Sequence, residues 1–331
     1  MSATGAEQGR MLIVEKKIIE VLRRSQKVLV TMHVHPDPDA LGAAIAMTLY
    51  LKSCGKDVRL YNEDGCPKWL EFMPRAALCR KITGREKFLP DTAVILDCGD
   101  LERIGKARAF IGEKTRVINI DHHVTNNRFA SLNFVKDRYS STSEILYGFL
   151  KRAGCVLTKD IAVLLYLGIL TDTGSFAFDS TTSHTHAIIA DLLKFNVPVA
   201  ELYRKVYETM PREDLKAFLL TMSRLELVGD ARIACLTMTK KEVSLFSDGF
   251  DVRDKIFGFL RAVKGLDVIV VITESDHGRV RINFRSRGAV DVARLAGKFN
   301  GGGHKNASGC YVDGTLTQAK ARIFAAIKEV L

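Results

Sequence analysis

Four apolar runs of strand length, separated by segments with helical features, constrain most strongly what this chain can fold into. The runs cover residues 27–32, 57–61, 92–96 and 116–120, and the segment 40–54 predicts a helix that ends at Gly55. Strands that alternate with helices predict a parallel sheet with helices on both faces. Such sheets bind their ligands at the carboxyl ends of the strands.

The remainder of the chain predicts a helical connector and a second, smaller domain. Helical patterns cover 141–153, 160–170, 183–195 and 199–227, the last interrupted by Pro211, and strands and helices alternate again after residue 228. We therefore expect an α/β fold with a parallel-sheet domain over 1–195, a helical linker over 196–227 and a smaller α/β domain over 228–331. Residues 1–10 are small and polar and predict a loose end.

Composition excludes several classes of protein. The length of 331 residues suits two domains, and 47% hydrophobic with 26% charged residues disfavours disorder and fibrous repeats. The longest apolar run, 161–170, is about half the ~20 residues that a membrane span needs, and no secretory signal is visible. The seven scattered cysteines have no Cys-x-x-Cys spacing, which argues against a disulfide framework or zinc ribbon and predicts a cytoplasmic protein.

The charge is positive and locally concentrated. Lys+Arg number 49 against 38 Asp+Glu, a net charge of +11, which suits a nucleic-acid partner, an anionic substrate or simple solubility. Between Arg279 and Lys305 there are seven basic residues and one acid, Asp291. A solvated basic face and an anion-binding site both explain this stretch.

The segment His33-Val34-His35-Pro36-Asp37-Pro38-Asp39 follows the first predicted strand. The two prolines are expected to hold His35 and Asp37 extended, so that side chains two apart point to the same side. Paired carboxylates with imidazole suit one divalent cation or two adjacent ones. Alternatively, Asp39 caps the helix and Asp37 stabilises a turn.

Three further groups follow apolar segments: Asp97 after a strand, Asp121-His122-His123 after the next, and Asp172 at the end of a helix. Each alone has a structural explanation, as a turn residue or a buried polar cluster. Together they place acids and histidines at one end of one sheet. So many acids are costly to bury near one another without cations, so the set predicts a metal site.

A glycine triplet, Gly301-Gly302-Gly303, lies between a predicted helix at 290–299 and a predicted strand at 307–312, followed by His304. Glycines let backbone N–H groups approach an anion closely, although such triplets are more often flexible connections. The nearby Arg285-Ser286-Arg287 favours an anion-binding loop.

These motifs resemble the DHH phosphoesterase superfamily, named for the triplet seen here at 121–123. The His-x-x-x-Asp-x-Asp pattern at 33–39, the acids at 97 and 172, and the triplet occur in the family's order. The carboxyl-terminal part is similar to the DHH-associated domain, and the chain looks closest to the nanoRNase/pAp phosphatase (NrnA-type) branch. The resemblance implies a DHH catalytic domain over 1–195 and a DHH-associated substrate-binding domain over 228–331.

The resemblance also implies roles for particular residues. His33, Asp37 and Asp97 would hold one manganese ion, and Asp39, Asp97, His122 and Asp172 a second, with Asp97 between them. Asp121 would orient the triplet and His123 would face the scissile phosphate, whereas His35 has no assigned role. The implied substrate-binding residues are Arg285, Ser286, Arg287, Gly302, Gly303 and His304.

The implied activity is manganese-dependent hydrolysis of short RNA oligomers to mononucleotides and dephosphorylation of 3′-phosphoadenosine 5′-phosphate (pAp), by in-line attack of a water-derived nucleophile. A phosphodiesterase of cyclic di-AMP or linear di-adenosine nucleotides is the first alternative. The second is a binding module for nucleotides or single strands without turnover, which 8% aromatic residues and one tryptophan support poorly. Relatives are often dimeric, which implies a homodimer.

Overall fold

The computed structural model describes residues 5–230, 232–247, 250–275, 278–287 and 290–329. The chain divides into two compact units, residues 1–206 and 207–331, and this boundary falls inside the predicted helical linker. The first unit holds a six-stranded sheet and so does the second. Each of the seven cysteines is unpaired.

The sheet of the first unit is parallel throughout, with strand order β3-β2-β1-β4-β5-β6. Its strands are short and mostly buried, as expected of a sheet covered on both faces. They are β1 (Lys27–Met32), β2 (Asp57–Asn62), β3 (Cys79–Lys81), β4 (Thr92–Leu96), β5 (Arg116–Asp121) and β6 (Leu132–Val135).

Helices connect and cover these strands. The α-helices are α1 (Gly5–Arg24), α2 (Pro38–Ser53), α3 (Thr142–Arg152), α4 (Lys159–Asp172), α5 (Ser183–Leu193) and α6 (Val199–Tyr207), and 3-10 helices cover Lys68–Leu70, Ala76–Leu78 and Leu101–Phe110. The last of these packs with Leu29 and Ile95 on one face of the sheet, and α2 and α3 contact the strands as well. Among the described residues, no helix combines the length and apolarity that crossing a bilayer requires.

Two glycines allow α2 and α4 to approach closely. A Cβ atom on Gly42 would lie 2.7 Å from the carbonyl oxygen of Leu164, and one on Gly168 would lie 2.5 Å from Oδ1 of Asp39. Both helices are apolar and buried along most of their length, as expected of helices inside a core. The close packing carries Asp39, in the first turn of α2, against α4.

The second unit has a mixed sheet with order β11-β12-β10-β9-β8-β7, in which only the β8–β9 pair is parallel. Its strands are β7 (Glu226–Val228), β8 (Ile233–Met238), β9 (Val268–Glu274), β10 (Arg279–Ser286), β11 (Gly302–His304) and β12 (Ala307–Asp313). Its helices are α7 (Asp214–Met222), α8 (Lys240–Val243), α9 (Val252–Leu260), α10 (Val292–Gly297) and α11 (Leu316–Lys328). Helices α10 and α11 cover one face, and α7 and α9 cover the other.

The α/β architecture predicted from the sequence is confirmed, with differences in detail. The predicted loose end is wrong from Gly5 onward, because α1 begins there and buries Ile18 and Leu22. The predicted helix over 199–227 is two helices followed by a strand, since Pro211 removes a backbone donor between α6 and α7. The short strands β3, β6, β7 and β11 were not predicted, and residues 276 and 277, part of a predicted turn, lie outside the described residues.

Candidate metal centre

The strand register brings three chemically active positions side by side. Met32 of β1 pairs with Leu96 of β4, and Leu96 pairs with Ile120 of β5. His33 follows Met32, Asp97 follows Leu96 and Asp121 follows Ile120. These three residues therefore lie side by side across the carboxyl end of the sheet. This is the edge at which parallel sheets bind ligands.

His33 is oriented by its own backbone. The side chain is buried, and its Nδ1 lies 2.8 Å from the carbonyl oxygen of Val34. A carbonyl only accepts, so Nδ1 carries the proton and donates it. Nε2 then faces Asp97 Oδ2 at 3.4 Å and Asp37 Oδ2 at 3.9 Å, where loss of its proton would free a lone pair for a cation.

Asp37 is extended, as predicted, with φ −92° and ψ −178°. Its Oδ1 accepts a hydrogen bond of 2.9 Å from the backbone N–H of Ala40, which caps α2. Its Oδ2 is the atom near His33. Asp37 therefore caps the helix and also contributes to the cluster. The alternative in which Asp39 is the cap is wrong, because Asp39 lies inside the first turn of α2.

The prediction that His35 is extended is wrong. Its φ is +54°, and its backbone N–H donates to Asp64 Oδ2 at 2.6 Å. The side chain is 87% exposed and its Nδ1 lies 3.2 Å from the same Asp64 oxygen. This left-handed turn places His35 beside Asp64. His35 belongs to none of the metal-donor groups described below.

Asp39 is completely buried and is held by the start of α3. Its Oδ2 accepts from the N–H of Thr142 at 2.7 Å and its Oδ1 from the N–H of Ser143 at 2.8 Å. Burial, followed by the negative charges of Asp172 and Asp97, raises the pKa of Asp39 well above its usual range. A cation would offset that repulsion.

Asp97 lies at the centre of the cluster, in a backbone conformation that a non-glycine residue rarely adopts, with φ +53°. Its Oδ1 accepts from the hydroxyl of Thr142 at 2.9 Å and lies 3.5 Å from Nε2 of His122. Burial alone would raise the pKa of Asp97, but the hydrogen bond with His33 and the charges of His123 and His122 lower it well below its usual range. Asp97 therefore stays ionised, as a carboxylate that serves two neighbouring cations must.

The two triplet histidines have different environments. Nδ1 of His122 lies 3.4 Å from the carbonyl oxygen of Tyr139, and its Nε2 lies 3.2 Å from Oδ2 of Asp172. Nδ1 of His123 is bound by Oδ1 of Asp121 at 2.6 Å. Burial raises the pKa of Asp172 to about 6. Asp121 therefore orients His123, whereas His122 and Asp172 face each other.

The donor atoms form three groups in which all atoms lie within 4.8 Å of one another. The groups are His33, Asp37 and Asp97; Asp39, His122 and Asp172; and Asp97, His122 and His123. The first is the predicted set for one cation, and the second holds the predicted set for the other apart from Asp97. Buried carboxylates with imidazole suit divalent cations such as manganese, so the residues present fit such ions.

Sequence reasoning missed the residues that position this cluster. Thr142 and Ser143 contact Asp39, and Asn126 donates to Asp121 Oδ2 and to Asn119 Oδ1. The signal for Thr142 and Ser143 was a run of small hydroxyl residues at 140–143, where α3 begins, all of them buried. If these hydroxyl residues were exposed, they would be ordinary helix caps. The sequence alone does not show that they are buried.

The predicted substrate-binding side chains of the second unit lie at the end of β10. Arg285 places its guanidinium over the ring of Phe257, 4.5 Å from the centroid. Ser286 donates its hydroxyl to the carbonyl of Val290 at 2.8 Å, and Arg287 donates to the carbonyl of Arg261. Ser286 and Arg287 therefore have structural partners, and Arg285 stacks on an aromatic ring.

The glycine segment is a strand where the sequence predicted an open loop. Gly302 pairs with Gly309 and Gly303 with Ser308 in the antiparallel β11–β12 hairpin. A Cβ on Gly303, which has φ +140°, would lie 2.5 Å from the carbonyl oxygen of Ala307. Close backbone approach thus explains the glycine. The backbone of His304 belongs to β11, but its side chain lies outside the described residues.

Comparisons with known proteins agree with this geometry. The family model described as "DHH family, N-terminal domain" matches residues 27–169, and the DHHA1 domain matches residues 250–331. The bifunctional oligoribonuclease and PAP phosphatase NrnA of Thermus thermophilus is 31% identical over 95% of this chain and 93% of its own length. Its Bacillus subtilis namesake is 28% identical over 89% and 92%.

A solved structure extends the similarity to the fold. An exopolyphosphatase-related protein from Bacteroides fragilis superposes with a TM-score of 0.87 at 27% identity, covering 96% of both chains. The first family match lies within the unit that holds the metal-donor cluster, and the second lies within the unit that holds Arg285. The chain therefore belongs to the DHH family of metal-dependent phosphoesterases.

Proposed function

We propose that this phosphoesterase hydrolyses short oligoribonucleotides to mononucleotides and removes the 3′ phosphate of pAp. The observation that carries the proposal is the sharing of Asp97 between two donor groups at the carboxyl edge of the sheet. The names of the Thermus and Bacillus relatives support the substrate class. The net charge of +11 suits anionic substrates.

The donor groups indicate which residues would hold two divalent cations, manganese by preference. His33, Asp37 and Asp97 would hold one, and Asp39, His122 and Asp172 the other. Asp97, whose Oδ1 lies 3.5 Å from Nε2 of His122, is proposed to serve the second group as well. Bound there, such ions supply Lewis acidity that polarises a phosphoryl oxygen and acidifies water. The backbone N–H groups of Thr142 and Ser143 keep Asp39 in place, so the carboxylates need little rearrangement on loading.

His123 is the side chain proposed to act on substrate. Because Asp121 fixes the Nδ1 side of the ring, Nε2 is the atom that would contact a non-bridging phosphoryl oxygen or pass a proton to the leaving oxygen. In this proposal Asp97 contributes by holding charge at the reacting centre.

In the second unit we propose that Arg285, Ser286, Arg287, Gly302, Gly303 and His304 bind the substrate. The stacked guanidinium of Arg285 supports this, because it offers donors to a phosphate while its stem is packed. The partition into domains over 1–195 and 228–331 with a linker over 196–227, a cytoplasmic location and a homodimer stay predictions.

One substrate panel tests the proposal. Purified protein is incubated with RNA of two to five nucleotides, pAp, linear di-adenosine nucleotide and cyclic di-AMP, each with manganese, magnesium or a chelator. We expect turnover of short RNA and pAp with manganese and none with chelator. A strong preference for cyclic di-AMP would replace the proposed activity with the alternative, and no turnover of any substrate would favour the binding module.

A further inference from the structure

One face of β10 carries three polar side chains, those of Arg281, Asn283 and Arg285. Val280, Ile282 and Phe284 are buried in the core beneath α10 and α11, so the alternate residues Arg281, Asn283 and Arg285 lie on the opposite face. On the neighbouring strand β12 they pair with Tyr311, Gly309 and Ala307. Beyond these, a Cβ on Gly302 would have nothing within 4 Å.

Arg281 is a cation without a close partner on this face. Within the described residues its guanidinium forms no hydrogen bond and no ion pair, although it is half-buried. The nearby carboxylate of Asp251 is engaged by Arg253, at 2.7 Å from Nε and 2.6 Å from Nη2. Burial, followed by the charge of Arg253, lowers the pKa of Arg281.

Other cations adjoin the same face. Arg285 donates through Nη1 to the carbonyl of Phe284 at 3.0 Å and lies 4.0 Å from a carboxylate oxygen of Asp254. Burial together with the charges of Arg285 and Arg287 lowers the pKa of Arg261 to about 10. Holding these guanidinium groups together costs free energy, which an anion bound among them would offset. The arginines outnumber Asp251 and Asp254, the acids that face them.

Asn283 lies between the two outward arginines and is incompletely satisfied. Its Oδ1 is buried and has no hydrogen-bond partner among the described residues, and its Nδ2 would lie 3.3 Å from a Cβ on Gly309. A buried polar atom without a partner is costly.

We infer that Arg281 forms a second phosphate-binding position, distinct from the one proposed at Arg285, for the backbone of a single-stranded oligoribonucleotide. The two arginines are four residues apart on one strand, so their Cα atoms are separated by ~13 Å, about two backbone repeats of an extended single strand. Arg281 therefore holds a phosphate that a chain of three or more nucleotides has and a dinucleotide lacks. The identity of this ligand rests on the proposed function.

Hydrolysis kinetics with Arg281→Gln test the position. We expect KM for pentaadenylate to rise about tenfold, since a charge-assisted hydrogen bond is lost, while kcat and the KM values for pAp and diadenylate stay within about twofold. Arg294→Gln is the matched control, because it removes the same charge from an 86% exposed side chain in the same unit. Arg281→Lys keeps the charge and should restore part of the affinity.

Binding without turnover separates this inference from the proposed function. Fluorescein-labelled pentaadenylate is titrated in EDTA at several salt concentrations, and circular dichroism checks that each variant is folded. Losing one phosphate contact should lower the slope of log Kd against log salt by about 0.7. If Arg281→Gln matches Arg294→Gln in KM and slope, or impairs diadenylate as much as pentaadenylate, the position is refuted. If wild type hydrolyses no RNA but Arg281→Gln still loses binding and slope, the proposed function fails and the position stands.

Discussion

The hydroxyl of Thr142 donates to Oδ1 of Asp97 over 2.9 Å, joining the start of α3 to the carboxylate at the centre of the donor cluster. The backbone N–H of the same residue donates to Asp39. His33 faces the other oxygen of Asp97, Oδ2. Thr142 thus sets the rotation of the Asp97 carboxylate and divides its two oxygens between the donor groups.

Replacing Thr142 by valine should weaken cation binding with little change in shape. Valine keeps the volume and the backbone N–H but lacks the hydroxyl, so the Asp97 carboxylate can rotate. Losing such an outer hydrogen bond typically costs 10- to 100-fold in metal affinity, and we expect a loss in that range. Calorimetric titration of the metal-free protein with manganese measures it directly.

Thr142→Ser and Ser143→Ala are the controls for that variant. Serine at 142 keeps the hydroxyl and should restore most of the affinity. The Ser143 hydroxyl has no hydrogen-bond partner among the described residues, so Ser143→Ala should bind manganese like wild type. Equal affinity of Thr142→Val and wild type would show that the hydroxyl does not position Asp97.

Replacing Asp97 by alanine should abolish manganese-dependent hydrolysis and leave the fold intact. Asp97 takes part in two of the donor groups, so its removal affects both, and we expect a loss of about a thousandfold or more. The metal-free protein should stay folded with a modest loss of stability. His33, His122 and His123 lose an attractive carboxylate, while Asp39 and Asp172 lose a repulsive one. Activity assays with chemical denaturation check both parts, and retained activity would contradict the sharing of Asp97.

The donor residues could be predicted from the sequence because each follows an apolar strand or ends an apolar helix. His33, Asp97 and Asp121 needed only the rule that parallel strands present their carboxyl ends together, and the register supplies the alignment. Asp172 needed a helix that ends at the same edge, and α4 ends there. The local pattern and the fold therefore agree at these positions.

The backbone conformations and the outer contacts could not be predicted in the same way. His35 precedes a proline, which favours an extended residue, yet its hydrogen bond to Asp64, distant in sequence, accompanies a left-handed turn. The role of Thr142 depends on contacts with residues 45 and 103 positions away. Local propensity contains no information about such partners.

The pKa of Asp172 predicts how pH affects the metal-free protein. Burial raises this pKa from 3.8 to about 6, so the folded state binds the proton more tightly than the unfolded state does. The contribution of Asp172 to stability is therefore full below pH ~4 and is lost as pH rises through 6. We expect the free energy of unfolding of wild type, relative to Asp172→Asn, to fall between pH 4 and 7 in EDTA.

That comparison cancels distant titrating groups such as Glu86, whose lowered pKa has the opposite effect. It does not cancel His122, because burial lowers the pKa of His122 and the hydrogen bond to Asp172 raises it, to well above its usual range. Urea denaturation at each pH measures the difference. Manganese should reverse the trend, because cations bind the deprotonated carboxylate. A difference independent of pH would mean that Asp172 ionises normally in the folded protein.

Gly168 predicts a packing effect that reaches the metal donors. An added Cβ would lie 2.5 Å from Oδ1 of Asp39 and would also meet the Ser143 side chain, so Gly168→Ala should destabilise the protein by about 1–3 kcal/mol. It should also weaken manganese binding by displacing Asp39. Gly258 in α9 has nothing within 4 Å of its Cβ position, so Gly258→Ala should stabilise by about 0.5–1 kcal/mol. Urea denaturation and manganese titration of both variants test these expectations. Unchanged stability of Gly168→Ala would show that α2 and α4 can move apart at no cost in free energy.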